Sequence, residues 1–152
     1  MIVNYKILLI IISCIFLNIS CNKEKANIIS TKKIKTIILV APNPNKSGSI
    51  AYELNQSQCQ KLVHLLNSDL AKGTYNQTGE DFLEFSHVIF ILGEKKYVVY
   101  LYSKFFINLN GKRYRNSKTF EYIQSLEKGN LLHKISAQKA IKIAPNLKEY
   151  LE

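Results

Sequence analysis

At 152 residues the chain has room for one domain with one hydrophobic core, and not for two. It carries 21 Lys and Arg against 11 Asp and Glu, a formal charge of +10. That excess favours anionic partners such as lipid headgroups, acidic polysaccharide or an acidic protein. Three cysteines and three scattered histidines, His64, His87 and His133, supply neither a disulfide framework nor paired metal ligands, so no metal and no cofactor is expected.

Lys6 provides a short positive start, and the apolar run over 7–17 is eleven residues long, the length of a secretory hydrophobic core. It falls short of the roughly 20 apolar residues that a membrane-spanning helix needs, because Asn18, Ser20, Asn22 and Lys23 end it. Leu17-Asn18-Ile19-Ser20-Cys21, followed by the polar run Asn22-Lys23-Glu24-Lys25, resembles a bacterial lipoprotein signal peptide. The resemblance implies cleavage before Cys21, a diacylglycerol-modified Cys21 thiol, and export to a bacterial cell envelope with the membrane held through that lipid. Asn18 departs from the pattern, which commonly has leucine three residues before the cysteine. Cys14, after Ile11-Ile12-Ser13, is a tighter local match but leaves six apolar residues as the core, so Cys21 is preferred and Cys14 is its rival. With residues 1–20 removed, 132 residues remain, bearing 20 basic and 11 acidic side chains, a net of about +9. Residues 21–33 then read as a lipidated polar tether and 34–152 as a single small domain.

The first strand is expected over 34–41, where Ile37-Ile38-Leu39-Val40 suits burial on both faces and a central place in the sheet. Pro42 ends it, and the turn formers over 42–49 predict a loop. Asn55 and Gln58 have the spacing of a capping box, with Leu54 and Cys59 placed as a hydrophobic staple. A helix over 55–70 follows, its stripe formed by Cys59, Leu62, Val63, Leu66 and Leu70. Residues 71–81 read as a polar loop around Gly73 and Gly79. Strands are predicted over 82–92 and 96–102 about a turn at 93–95, and over 105–109 and 112–115 about Asn110-Gly111, a strong hairpin signal. Ser117 caps a second helix to Lys128, with Gly129 after its end. The tail offers a connection or short strand over 130–135, a short helix over 136–144 stopped by Pro145, and a last turn or two. The expected fold is α+β: a mostly antiparallel sheet of about five strands in β-α-β-β-β-β-α order. The 55–70 helix lies on one face and the 117–128 helix near an edge. This element order is similar to that of small exported bacterial domains of inhibitor or immunity type, a likeness that transfers no residues.

Catalytic patterns are sparse. Ser30-Thr-Lys-Lys33 and Ser136-Ala-Gln-Lys139 satisfy S-x-x-K without the companion motifs of that chemistry. Cys59, His87 and Asp81 can be written as a triad only without spacing support, and no glycine-rich phosphate loop is present. The chain is therefore read as a non-enzyme, with a structural envelope-associated lipoprotein as the alternative and a small hydrolase using Cys59 or Ser136 behind both. The better candidate site is the aromatic and basic hairpin face: Tyr100, Tyr102, Lys112, Arg113, Tyr114 and Arg115. Rings there can stack on sugars or side chains while cations meet acidic groups of a protein or acidic glycan, and export argues against nucleic acid. Alternation in the strand over 96–102 sets Val98, Tyr100 and Tyr102 against Tyr97, Val99 and Leu101, so one set is core.

Overall fold

The computed structural model describes residues 28–30, 33–43, 48–74, 85–102, 106–115 and 118–151. The signal segment, Cys14, Cys21, Asp81, Phe105 and the Ser117 cap lie outside the described residues. The elements are β1 (Ile34–Pro42), β2 (Ser49–Glu53), α1 (Gln56–Leu70), β3 (His87–Gly93), β4 (Tyr97–Tyr102), β5 (Phe106–Leu109) and β6 (Lys112–Arg115). Then come α2 (Lys118–Lys128), β7 (His133–Ile135), α3 (Ala137–Ile143), a 3-10 turn (Pro145–Leu147) and α4 (Lys148–Leu151).

The α+β class and the four-strand meander stand as the sequence predicts, but the described sheet has seven strands in the order β6-β5-β4-β3-β1-β2-β7. All its pairs are antiparallel. The two extra strands are β2, too short to announce itself, and β7, which falls within the 130–135 stretch read as a connection or short strand. β2 follows a Pro- and Asn-rich stretch that reads as loop, and three-residue β7 exists because β2 offers it an edge at Ala51, Tyr52 and Glu53. β1 lies between β3 and β2, and Ile37 to Val40 are buried on both faces.

The helices also differ from expectation, since they cover both faces. On the first, α1 seats Leu62, Val63, Leu66 and Leu70 against Ile37, Leu39, Ile89 and Ile91. α2 lies beside α1 on that face and not at an edge, because Ile123 and Leu126 give it enough apolar surface to join the same core. Each leucine so buried contributes roughly 1.5–3 kcal/mol. On the second face Ala140, Ala144 and Leu147 of the tail close over Ile38, Val40, Val88 and Phe90.

Local signals explain the joints. Asn55 and Gln58 form the capping box, each side chain accepting from the other's backbone N–H at 2.9 Å. Asn110 (φ 53°) and Gly111 (φ 75°) make the turn with two left-handed residues that the β5–β6 hairpin requires. The fully buried Asp69 at the end of α1 accepts from Lys72 Nζ at 2.6 Å, the Thr119 amide at 3.1 Å and Thr119 Oγ1 at 2.8 Å. It thereby caps the start of α2. Burial alone would push the Asp69 carboxyl up, but the bonds from Lys72 and Thr119 outweigh it and hold the group below the usual carboxylate range.

Packing also begins earlier than the sequence suggests. Ile29 is fully buried, its N–H donating to Asn67 Oδ1 at 2.9 Å and its carbonyl accepting from Asn67 Nδ2 at 2.8 Å. The entering chain is thus clamped to α1 before β1 starts.

Candidate functional site

Alternation sorts the side chains of β4, β5 and β6 onto two faces. The registers Tyr100↔Asn108↔Arg113 and Tyr102↔Phe106↔Arg115 put these six on the second face. Val99, Leu101, Ile107 and Leu109 point into the first core. Four of the six expected site residues, Tyr100, Tyr102, Arg113 and Arg115, therefore share a face, while Lys112 and Tyr114 project from the other. Lys112 is exposed at the start of β6. Tyr114 is a core residue: β6 runs beneath the end of α1, where Thr74 bridges it, and the ring is buried among the first-face side chains.

The second face has two aromatic groups. Tyr100 is half-buried, with its hydroxyl 2.7 Å from that of Tyr150, and Phe85, 41% exposed, packs edge-on against both rings at 5.7 and 6.1 Å. Burial, reinforced by hydrogen bonds with Tyr100 and Glu149, pushes the Tyr150 phenol far above its ordinary value, so it stays protonated. Beyond Tyr100, Tyr102 stacks on Phe106 with centroids 4.8 Å apart and planes 19° from parallel. The Arg113 guanidinium lies over the same Phe106 ring at 5.3 Å. Arg115, exposed, stands directly opposite Phe106 in the ladder. The arrangement is a preformed stack of ring, ring and guanidinium with a second arginine beside it, suited to flat groups and to carboxylates.

The sequence names Tyr102 and Arg113 but does not single out their stack on Phe106, which depends on register. It overlooks Phe85, whose strand begins later than expected, and Tyr150, which lies in the poorly patterned tail. A further cluster was also hidden: His87 is buried, with Nδ1 3.1 Å from Ser86 Oγ and Nε2 2.9 Å from Glu127 Oε1. Ser86 Oγ donates to the Leu101 carbonyl at 3.2 Å, and the imidazole packs edge-on against Phe120. These bonds tie β3 to α2.

The candidate nucleophiles have other employment. Cys59 lies in the first core, its thiol donating to the Leu54 carbonyl at 3.5 Å, and burial pushes that thiol up, away from thiolate. Ser136 caps α3, its Oγ accepting from the Lys139 amide at 3.1 Å, while Lys139 Nζ is drawn 2.7 Å from Glu53 Oε2. Lys33 Nζ likewise bonds Glu94 at 2.9 Å. Among the described residues no three His, Cys, Asp or Glu side chains come together to hold a metal ion. No protein-family model, curated protein or solved structure matches the chain.

Proposed function

We propose that this chain is an exported bacterial lipoprotein, held to an envelope membrane by lipid on Cys21, that acts as a non-enzymatic binding module. Its partner is a macromolecule bearing anionic groups, an acidic protein surface or an acidic glycan, in the manner of inhibitor or immunity proteins. The observation that carries the reading is the Tyr102–Phe106–Arg113 stack on the second face. Among the described residues the core on that face reaches Tyr100 of β4 and includes no residue of β5 or β6. Tyrosine and arginine dominate the residues that carry binding energy at interfaces, because rigid rings lose little entropy and a guanidinium engages carboxylates with two bonds. The engagement of Ser136, Lys139 and Cys59 within the fold supports binding over catalysis.

Affinity capture on the tagged chain tests the site. Tyr102→Ala and Arg113→Ala should each lose a partner that wild type and Lys142→Ala retain, while circular dichroism shows both variants folded; capture unaffected by both would refute it. Labelled palmitate incorporated by wild type and lost in Cys21→Ala tests the anchor, and label surviving that change would move the lipid to Cys14.

A further inference from the structure

We infer that the end of the sheet where the chain enters the domain is a contact surface for an anionic lipid bilayer, an inference that rests on the proposed anchor at Cys21. The Asn67 clamp on Ile29 fixes the point of entry. Six residues, 22–27, separate Ile28 from Cys21, so the two lie within about 25 Å even when the connection is fully extended. β1, β4 and β6 all start at this end, because the strands between them run the other way.

Charge and apolar exposure coincide there. Lys33, Lys35, Lys95, Lys96 and Lys112 are all exposed around the start of β1, the β3–β4 turn and the start of β6. Of the described acids at this end, Glu94 is bonded by Lys33 and Glu53 by Lys139. Among these lysines, Ile28 is 42% exposed, an outward isoleucine beside a cleft of about 270 Å³. Ile34, Ile91 and Tyr97 line the cleft, and Lys33 and Lys95 stand at its rim. Cations next to an exposed apolar residue are what a headgroup layer over hydrocarbon recognises: phosphates meet the ammonium groups and the apolar part enters between them. An acidic polysaccharide would engage the lysines and leave Ile28 and the cleft unused. The bilayer has a further claim, since the proposed anchor ties it to residue 21. The strand direction then presents Tyr102 and Arg115, at the ends of β4 and β6, away from the lipid.

The proposed mature chain begins at residue 21, so that chain with Cys21→Ser, which carries no lipid, is the test object. Its sedimentation with phosphatidylcholine vesicles containing 30% phosphatidylglycerol is measured in low and high salt. Binding is expected in low salt, falling steeply as salt rises, and absent on pure phosphatidylcholine. Lys35→Glu, Lys95→Glu and Lys96→Glu together should weaken it on the order of a hundredfold. The charge-matched Lys118→Glu, Lys128→Glu and Lys142→Glu should cost far less, and Ile28→Ser should weaken binding at every salt concentration. Equal losses in the two triple variants, no low-salt binding, or an Ile28→Ser variant as good as wild type would each overturn the inference. Vesicle binding by a protein whose full-length form takes up no palmitate would retain this surface and remove the anchor, so the two failures are distinct.

Discussion

Replacing Asp69 by alanine removes the acceptor that joins the end of α1 to the start of α2. Three donors lose their partner: Lys72 Nζ, the Thr119 amide and Thr119 Oγ1. The Lys72 side chain is partly exposed and within reach of water, but Thr119 is fully buried and its two donors are not. A buried polar group left unpaired costs about 1–3 kcal/mol, so the alanine variant should lose about 3–5 kcal/mol, a large share of a typical domain's stability. Asp69→Asn separates the contributions. Both Thr119 bonds go to Oδ2 and the lysine bond to Oδ1, so an amide oxygen in place of Oδ2 keeps the pair to Thr119 and turns its NH2 toward Lys72. With Lys72 partly exposed, that loss should be about 1–2 kcal/mol. The pH dependence has a definite sign. A carboxyl held below its unfolded value stabilises the fold fully above that unfolded value, about 3.9, and the contribution disappears as pH falls through the lower folded value. Urea unfolding followed by circular dichroism should therefore show the gap between wild type and Asp69→Asn closing in acid. An alanine variant within about 1 kcal/mol of wild type, or a gap unchanged between pH 7 and pH 2, would refute the assignment.

Gly93→Ala should destabilise by about 1–3 kcal/mol, because a Cβ there would overlap the carbonyl of Lys33 where the chain irregularly enters β1; thermal unfolding measures it. Gly111→Ala, in open space but at φ 75°, should cost only about 1 kcal/mol, with the proton shifts of the β5–β6 hairpin retained. Cys59 should resist a thiol reagent in the folded Cys21→Ser chain and react fully in urea, and rapid labelling in native buffer would contradict its place in the core.

Much of the fold was legible because its strongest signals are local. The capping box at Asn55 and Gln58, the α1 stripe, the Asn110-Gly111 hairpin and the continuous apolar run of β1 each depend on residues close in sequence. β2 was not legible, and β7 only as one of two readings of 130–135, for the opposite reason. A five-residue strand after turn formers and a three-residue strand have little pattern of their own and are fixed by the edge they pair with. The site divides in the same way. That Tyr100 and Tyr102 share a face follows from period 2 within one strand. That Tyr114 is covered depends on the chain just beyond α1, where Thr74 bridges it, a contact forty residues distant in sequence.

The second face poses a choice that the chain resolves differently along its width. A sheet face must be covered by other elements or made compatible with water. From β7 to β4 the tail helices supply the cover, and apolar residues such as Ile135, Val40 and Phe90 are affordable beneath them. In β5 and β6, outside that core, alternation gives Asn108, Arg113 and Arg115, with one exception in Phe106. A phenylalanine at such a position would be costly if bare, yet it is only 8% exposed, sheltered by the Tyr102 ring and the Arg113 guanidinium. Water compatibility alone needs only a threonine or lysine at position 106. Placing a large ring there fixes the orientation of a tyrosine and an arginine at once, which lowers the entropy either would lose on engaging a partner. Phe106→Thr is therefore the informative substitution: it removes the ring that Tyr102 and Arg113 share while leaving both residues present, and should weaken capture of the partner. Full capture by Phe106→Thr would mean that the stack does no more than shield its own ring.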